Sequence, residues 1–284
     1  MASANPPSTV HQYELAQGMY AFIDSAPGFG QSNVGLVVDG DGLTVIDTTA
    51  TPARAQAVRS MIMELTEPLD LRIKRIVVTS SRIPFAGGTN AFWPAAYYGS
   101  QATSDQLDDP VNPLALQRLL PHLAEVYDFG FTTRPITHTV EESAWLTGSI
   151  QVVPAPGESP MNLLVVAPES GVVFAGALAG FGVTPLAFDG DPAEWADTLE
   201  QVAEFATTIV PGHGPPGGKA DLLDLVGYLR AVVEVDGDLG ALPAGPWDNW
   251  TNREFDAVNV ERAARRRRGD SEIPAAMFEL LGLA

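Results

Sequence analysis

The chain of 284 residues contains no cysteine. This absence excludes disulfide bonds, a cysteine nucleophile and thiolate metal ligands. Basic residues are also scarce, because 16 Lys and Arg stand against 35 Asp and Glu, for a formal net charge of −19. Nucleic acids and anionic membrane surfaces are recognised by clustered Lys and Arg. Neither is therefore expected as a partner, and the charge is typical of a solvated acidic surface.

Long apolar runs are missing as well. No stretch of about 18 apolar residues occurs, so we expect no transmembrane helix and no membrane partner. Residues 1–9 have neither the basic nor the apolar region of a signal peptide. We therefore expect a cytoplasmic protein with a folded core.

Sequence patterns predict two β-rich halves, each followed by helices. Strands are predicted at 19–23, 33–38, 43–47, 73–79, 149–153, 163–166, 172–175 and 208–210. Helices are predicted from Thr51-Pro52 to about Leu65, and at 89–92, 113–126, 192–205 and 219–233. Such a pattern favours an α/β fold in which two sheets pack face to face with helices outside.

Five segments resemble the motifs of metallo-β-lactamase superfamily hydrolases, in the family's order. They are SNVGLVV at 32–38, VIDT at 45–48, VVTSSRIPFAGG at 77–88, GVVFAGAL at 171–178 and TIVPGHGPPGGKADL at 208–222. The resemblance implies a four-layer αββα sandwich of two mixed β-sheets flanked by helices, with a site at one edge between the sheets. It assigns residues 1–235 to this domain. Residues 236–284 are then a C-terminal helical extension that packs on the core or on a partner subunit.

The residues at the family's zinc-ligand positions are different in this chain. The second family motif reads T-H-x-H-x-D-H-x-G-G, and Thr79 and Gly87-Gly88 frame the same interval here. The positions that hold ligands in the family are occupied by Ser80, Arg82, Pro84, Phe85, Glu158 and Ala177, and only His213 is retained. Zinc needs three or four N, S or carboxylate donors at about 2.0–2.3 Å, so we expect no metal and no other cofactor.

These replacements predict that the region of the family's metal site is charged on one side and apolar on the other. An ion pair between Arg82 and Glu158 is expected where one zinc would bind, since a guanidinium supplies a fixed positive charge. The other half, around Phe85, is expected to be apolar with the isolated imidazole of His213.

Four residues are candidates for catalysis, each with a structural alternative. His213 is a candidate general base, or else a remaining histidine that shapes its loop. Arg82 and Glu158 are candidates for binding a carbonyl and for acid–base chemistry, or else a structural ion pair. Ser80 is a candidate nucleophile, although the G-x-S-x-G pattern is missing.

Six further residues are candidates for substrate binding: Phe85, Phe29, Ser81, Trp93, Phe181 and Asp47. For the aromatic residues, core packing is the alternative, and for Asp47 it is bracing of a loop. His11, His122 and His138 are expected at the surface, Trp247 and Trp250 as anchors of the tail, and Arg265–Arg268 as a solvated helix face. The apolar segment 273–283 suggests a docked helix or a homodimer contact.

These residues favour a metal-independent enzyme that performs acid–base chemistry on an apolar, carbonyl-containing small molecule. Cyclisation, dehydration, isomerisation and hydrolysis all fit, and polyketide-like or acyl-like substrates are suggested by relatives of the fold alone. The alternatives are a non-catalytic protein that binds a small ligand or a protein partner, and a zinc hydrolase with unusual ligands.

Overall fold

The computed structural model describes residues 9–26, 28–109 and 111–283. The prediction that residues 1–9 are not a signal peptide falls almost entirely outside the described residues, which begin at residue 9. Among the helices of the described part of the chain, none combines the length and hydropathy needed to cross a bilayer.

Strands and helices alternate along the described residues. The strands are β1 Val10–Ala16, β2 Met19–Asp24, β3 Val34–Asp39, β4 Gly42–Ile46, β5 Ile73–Val77, β6 Ala96–Gly99, β7 His138–Thr139, β8 Ala144–Trp145, β9 Gln151–Ala155, β10 Asn162–Ala167, β11 Val172–Gly180 and β12 Thr208–His213. The α-helices are α1 Pro52–Thr66, α2 Ile83–Ala86, α3 Gln101–Asp108, α4 Pro113–Leu119, α5 Pro192–Phe205, α6 Lys219–Glu234, α7 Asp256–Arg267 and α8 Ala275–Leu280. Short 3₁₀ helices span Glu67–Leu69, Thr89–Phe92, Pro121–Val126, Leu239–Ala241, Pro246–Asn249 and Arg253–Phe255.

The strands form two mixed sheets. The first has the order β1-β2-β3-β4-β5-β6-β7, and the second has the order β12-β11-β10-β9-β8. Pairing is parallel from β4 to β7 and between β11 and β12, and it is antiparallel between the other neighbours.

Three apolar layers hold the sheets and helices together. Between the sheets, Val37, Ile46 and Val77 share a cluster with Val165 and Phe174. Outside the first sheet α1 contributes Ala55, Val58 and Ile62 to a second cluster, and outside the second sheet α5 and α6 bury their apolar faces in a third. The predicted four-layer αββα arrangement is confirmed.

The helix starts follow from local chemistry. Thr51 accepts a hydrogen bond from the backbone of Arg54 at 3.3 Å, and Asp191 accepts one from Ala193 at 2.9 Å. In each helix a proline follows the cap. Proline is favoured there because an N–H in the first turn would have no acceptor within the helix. The predicted helices that begin here are therefore observed.

Several predicted elements differ from the observed ones. The segment 113–126, predicted as one helix, is divided because Pro121 disfavours helical backbone at Leu120, which has φ −125° and ψ 64°. β5 ends at Val77 rather than at 79, and the strand predicted at 208–210 continues to His213. The segment 89–92 is a 3₁₀ helix.

The C-terminal segment packs on the rest of the same chain. Trp247 is buried and its ring lies 5.9 Å from that of Tyr228 on α6. Residues of α7 and α8, Val258 and Met277, join a fourth apolar cluster with Phe29 and Ile83. The tail therefore lies against the loops at one edge of the sandwich.

The run Arg265–Arg268 is not simply a solvated face. Arg266 donates hydrogen bonds to the backbone carbonyls of Asp189 and Gly190, the second at 3.3 Å. Arg265 pairs with Glu261 at 2.8 Å and with Asp270 at 2.6 Å. The expectation holds for Arg267 and Arg268, which are exposed. It fails for Arg266, because α7 lies against the loop before α5, whose carbonyls accept from this guanidinium.

Candidate functional site

The residues at the positions of the zinc motifs meet at one edge of the sandwich. The loop after β5 carries Ser80 and Arg82, the end of β12 carries His213, and the loop before β10 carries Glu158. Carboxyl ends of neighbouring parallel strands share an edge of a sheet, which brings loops that are distant in sequence together.

The loop after β5 is fixed from below by Asp47. This carboxylate, which is 1 % exposed, accepts hydrogen bonds from the backbone N–H and the hydroxyl of Thr79, both at 2.8 Å. Burial raises the pKa of Asp47 to about 7, although the hydrogen bonds from Thr79 lower it. Asp47 therefore braces the loop and lies outside both cavities described below.

The doublet Gly87-Gly88 is required by close backbone contact. A Cβ atom at Gly87 would lie 2.2 Å from the carbonyl oxygen of Ala50, and one at Gly88 would lie 2.1 Å from that of Thr48. The doublet lets α2 sit against the chain after β4, and α2 presents Pro84 and Phe85.

The predicted ion pair is present, and it has a third member. Arg82 donates from Nε to Oε1 of Glu158 at 3.1 Å and from Nη2 to Oδ1 of Asp189 at 2.5 Å. Its guanidinium also lies 4.7 Å from the ring centroid of Phe188. The first metal position is thus replaced by a cation held between two carboxylates.

Both carboxylate oxygens of Glu158 accept hydrogen bonds. Its Oε2 accepts from the hydroxyl of Ser80 at 2.9 Å and from the amide of Asn162 at 3.2 Å. Burial raises the pKa of Glu158, Arg82 lowers it and Asp189 raises it further, for a net upward shift. Burial by itself would lower the pKa of Arg82, but the two carboxylates outweigh this effect and raise it. Ser80 therefore donates to a carboxylate that already has partners.

His213 lies in an apolar environment, as predicted. Its ring centroid is 5.2 Å from that of Phe85 and 5.8 Å from that of Phe29. Nδ1 lies 3.2 Å from the carbonyl oxygen of Gln31, so this nitrogen carries the proton and donates. Burial lowers the pKa of His213 to about 4, against the hydrogen bond to Gln31, and the imidazole is neutral at pH 7.

The space in front of His213 is small. The void between His213 and Glu158 measures about 20 Å³, and Phe85, Phe29, Ala177 and Trp195 are among its walls. A space of this size accommodates about one water molecule. Substrate-sized molecules do not fit there.

A larger cleft opens on the other side of Phe29 and Leu186, which line both spaces. Its volume is about 390 Å³. Aliphatic side chains from α3, α4, the loop before α5 and α8 form most of the wall: Leu107, Val111, Leu116, Leu119, Leu120, Leu186, Met277 and Leu281. Ser81, Arg82, Gln106, Asn112 and Asp189 add polar groups.

Four of these polar residues, Ser81, Gln106, Asp189 and Arg82, form one connected network. The hydroxyl of Ser81 donates to Oε1 of Gln106, and Nε2 of Gln106 donates to Oδ2 of Asp189 at 3.1 Å. Asp189 in turn accepts from Arg82. The network holds the guanidinium and Asp189 in one orientation at the wall of the cleft.

The candidate residues thus fall into three groups. Phe29, Ser81 and Arg82 line the cleft, whereas His213, Glu158 and Phe85 line the small void. Trp93 is 61 % exposed and lies against the guanidinium of Arg134, with 4.5 Å to its ring centroid, outside both spaces. Phe181 is buried behind His213, to whose carbonyl its N–H donates at 2.9 Å. His11, His122 and His138 are exposed.

Sequence reasoning missed Asp189, which binds Arg82, and Gln106, which binds Asp189. Asp189 lies in the irregular segment before α5, and Gln106 lies on α3, which has too few apolar residues for a helical periodicity to be visible. No motif marks either residue.

The residues at the motif positions do not form a zinc ligand set. Within residues 9–26, 28–109 and 111–283, no group of three or more His, Cys, Asp or Glu side chains is arranged to hold a metal ion. The guanidinium of Arg82 stands between the carboxylates of Glu158 and Asp189. A second cation there would meet a fixed positive charge.

No known protein-family profile matches the chain, but solved structures share its fold. It is similar to the metallo-β-lactamase FIM-1 from Pseudomonas aeruginosa in the mono-zinc form, with a TM-score of 0.59 and 20 % identity over 84 % of this chain and 99 % of that one. A metallo-β-lactamase from Erythrobacter litoralis gives a TM-score of 0.57 and 21 % identity over 78 % and 96 %.

The chain is also similar to the stereoselective inverting sec-alkylsulfatase Pisa1 from Pseudomonas sp., with a TM-score of 0.66 and 14 % identity. This match covers 90 % of the chain and 50 % of the sulfatase, so the chain spans half the sulfatase's length. Together these likenesses show the metallo-β-lactamase fold, in a chain from which the zinc-ligand motifs are lost.

Proposed function

We propose that this chain with a metallo-β-lactamase fold binds a small, largely apolar molecule in the cleft, without a metal ion and without catalysis at the former zinc site. The observation that carries the proposal is the difference in size between the cleft and the space beside His213, which holds about one water molecule. The cleft volume of about 390 Å³ lies in the range of small-molecule sites, which are mostly apolar with a few oriented polar groups.

The position of the ionisable groups favours binding over acid–base catalysis. A general base must come within about 3 Å of the proton it removes. His213 and Glu158 face a void of about 20 Å³, behind Phe29 and Leu186. With a pKa of about 4, His213 is in addition a weak base. The alternative of a ligand-binding protein therefore fits the geometry better than the acid–base enzyme.

Metal independence rests on charge and on donor atoms. Arg82 occupies the first position as an ion pair, and Phe85 and Ala177 supply no donor side chain at the second. His213 has its Nδ1 committed to Gln31 and is left as a single nitrogen donor among apolar groups. One such donor does not make the tetrahedral shell that zinc requires.

The proposal is tested with Nile red, an uncharged apolar dye whose fluorescence rises in apolar sites. We expect saturable binding by the intact chain at pH 7 that is unchanged by EDTA. Ala115 lines the cleft on α4, so Ala115→Trp fills the cleft and should weaken binding by about tenfold or more, a loss of at least about 1.4 kcal/mol. Leu114→Trp is the matched control, because Leu114 is 57 % exposed on the same helix and does not line the cleft.

Three results would contradict the proposal. One is the absence of saturable binding by the wild-type chain. Another is an equal effect of Ala115→Trp and Leu114→Trp. The third is loss of binding with EDTA that zinc restores.

A further inference from the structure

The charges around the cleft suggest which ligands it accepts. Among the described residues that line it, Arg82 is the only basic one, and Asp109 and Asp189 are acidic. Glu158 lies behind Arg82 and contacts it directly. Around the position of a ligand head group, negatively charged side chains therefore outnumber the single positively charged one.

The guanidinium of Arg82 is already compensated. Its carboxylate contacts, at 3.1 Å to Glu158 and 2.5 Å to Asp189, are those of close ion pairs. The three groups together carry a charge of −1, or zero when Glu158 is protonated, and in neither state is the sum positive. A carboxylate or sulfate head group would thus meet no net attraction, and it would approach the carboxylate of Asp189 in a partly buried site.

Hydrogen-bonding capacity nevertheless remains at this wall. Nη1 of Arg82 has no partner within the described ranges, whereas Nε and Nη2 are both occupied. The side chain of Arg82 keeps 23 % of its surface exposed and lines the cleft. Asp189, also 23 % exposed, accepts one bond at each oxygen, and a carboxylate oxygen has room for a second. A free donor and a free acceptor therefore lie next to each other.

We propose that the cleft selects uncharged apolar molecules whose head group places a hydrogen-bond acceptor beside a donor, and that it discriminates against carboxylates. A primary carboxamide is the simplest such group, because its carbonyl accepts from Nη1 of Arg82 while its N–H donates to Asp189. The apolar chain of the ligand lies along the aliphatic wall formed by Leu116, Leu119 and Met277. This inference rests on the proposed binding function and names its ligand class.

The test compares three probes with the same alkyl chain: decanamide, decanoate and decylamine. Titration calorimetry on the intact chain at pH 7 should give decanamide an affinity about tenfold or more above that of decanoate, a difference of about 1.4 kcal/mol. Decylamine should bind more weakly than decanamide, because it lacks an acceptor for Nη1 of Arg82 and its ammonium group loses solvation in a partly buried site. Equal or tighter binding of decanoate or of decylamine would overturn the inference.

Two substitutions with the same change in charge sharpen the test. Asp189→Asn removes one negative charge beside Arg82. It should raise the affinity for decanoate by about fivefold to tenfold, so that the preference for decanamide over decanoate becomes smaller. Asp108→Asn removes a charge that is exposed and does not line the cleft, so solvent screening should keep the preference within about twofold of wild type. An unchanged preference in Asp189→Asn would contradict the role of that carboxylate.

The two proposals fail in different ways. If no probe binds, or if Ala115→Trp leaves the affinities unchanged, then the binding function itself is wrong. If all probes bind and Ala115→Trp weakens them together, but decanoate binds as well as decanamide, then only the ligand class is wrong.

Discussion

Arg82 and Phe85 change the site in two different ways relative to a zinc site. Arg82 brings a permanent charge whose partners, Glu158 and Asp189, hold it in place. Phe85 places its ring against His213 and against Gly212, where a Cβ atom would lie 2.5 Å from the ring. Arg82 supplies a positive charge where the family binds a metal ion. Phe85 fills space beside His213, so no large cavity remains there.

His213 offers a test of its burial through the pH dependence of stability. Its pKa is about 4 in the folded chain and 6.5 ordinarily, so between these values the unfolded chain binds more protons. The contribution of His213 to the free energy of unfolding therefore falls as the pH falls from about 6.5 to about 4, whereas Asp47, whose pKa burial raises to about 7, contributes in the opposite direction. His213 contributes a loss on the order of 3 kcal/mol, since each pKa unit corresponds to about 1.4 kcal/mol.

His213→Gln removes the titrating group. Urea unfolding at several pH values should show that the stability of the wild-type chain, measured relative to that of the variant, falls over this interval. Above about pH 6.5 the two curves should run parallel. A His213 signal that titrates near pH 6.5 in the NMR spectrum, or equal losses in both proteins, would show that the imidazole is not buried as described.

At the scale of secondary-structure elements, the cleft depends on parts of the chain outside the β-sandwich. α3, α4 and α8 supply its aliphatic wall, with Leu107, Leu116 and Met277 among the contacts. α8 has six residues and needs support at both ends. Arg118 on α4 donates to the carbonyls of Leu281 and Gly282, at 3.0 and 2.9 Å, after the end of α8.

The beginning of α8 depends on Glu261. This carboxylate on α7 accepts hydrogen bonds from the backbone N–H groups of Ala275 and Ala276, both at 2.8 Å. Glu261→Ala leaves both donors unsatisfied, which should cost about 1 kcal/mol. Hydrogen exchange at the amides of Met277 and Leu281 should then become about fivefold faster.

The matched control is Glu279→Ala, since Glu279 is exposed on α8 itself. It should leave the exchange of these amides close to wild type. Equal exchange in the two variants would show that Glu261 does not hold the helix.

The elements that could be predicted from sequence are those with strong local signals. α1 and α5 have a capping residue followed by proline, and β10 and β11 are continuous apolar runs. β1 was missed because its exposed edge position leaves no alternation of buried and exposed residues. β6 has four residues, too few for a visible pattern.

In the candidate site, too, residues with a local sequence signal could be predicted and residues without one could not. The ion pair between Arg82 and Glu158 could be predicted, because both residues stand at positions framed by recognisable motifs. Asp189 and Gln106 could not, since their contacts depend on how the loop before α5 and α3 pack. The sizes of the cleft and of the void in front of His213 are likewise consequences of packing.

At the scale of the whole molecule, the residues that stabilise the αββα sandwich are largely different from those that form the candidate site. The three large apolar clusters lie between the sheets and under the helices, while the site residues come from loops, short helices and a strand end at one edge. Loops of this kind change without loss of the core, because few core contacts depend on them. The homodimer expected from the apolar C-terminal segment stays a prediction.

The most direct measurement is the zinc content of the chain, purified after expression with added zinc and dialysed without a chelator. Elemental analysis should find far less than one zinc ion per chain, and the melting temperature should be the same before and after EDTA. Near-stoichiometric zinc that survives dialysis, together with a lower melting temperature after EDTA, would contradict the proposal that the chain functions without a metal ion.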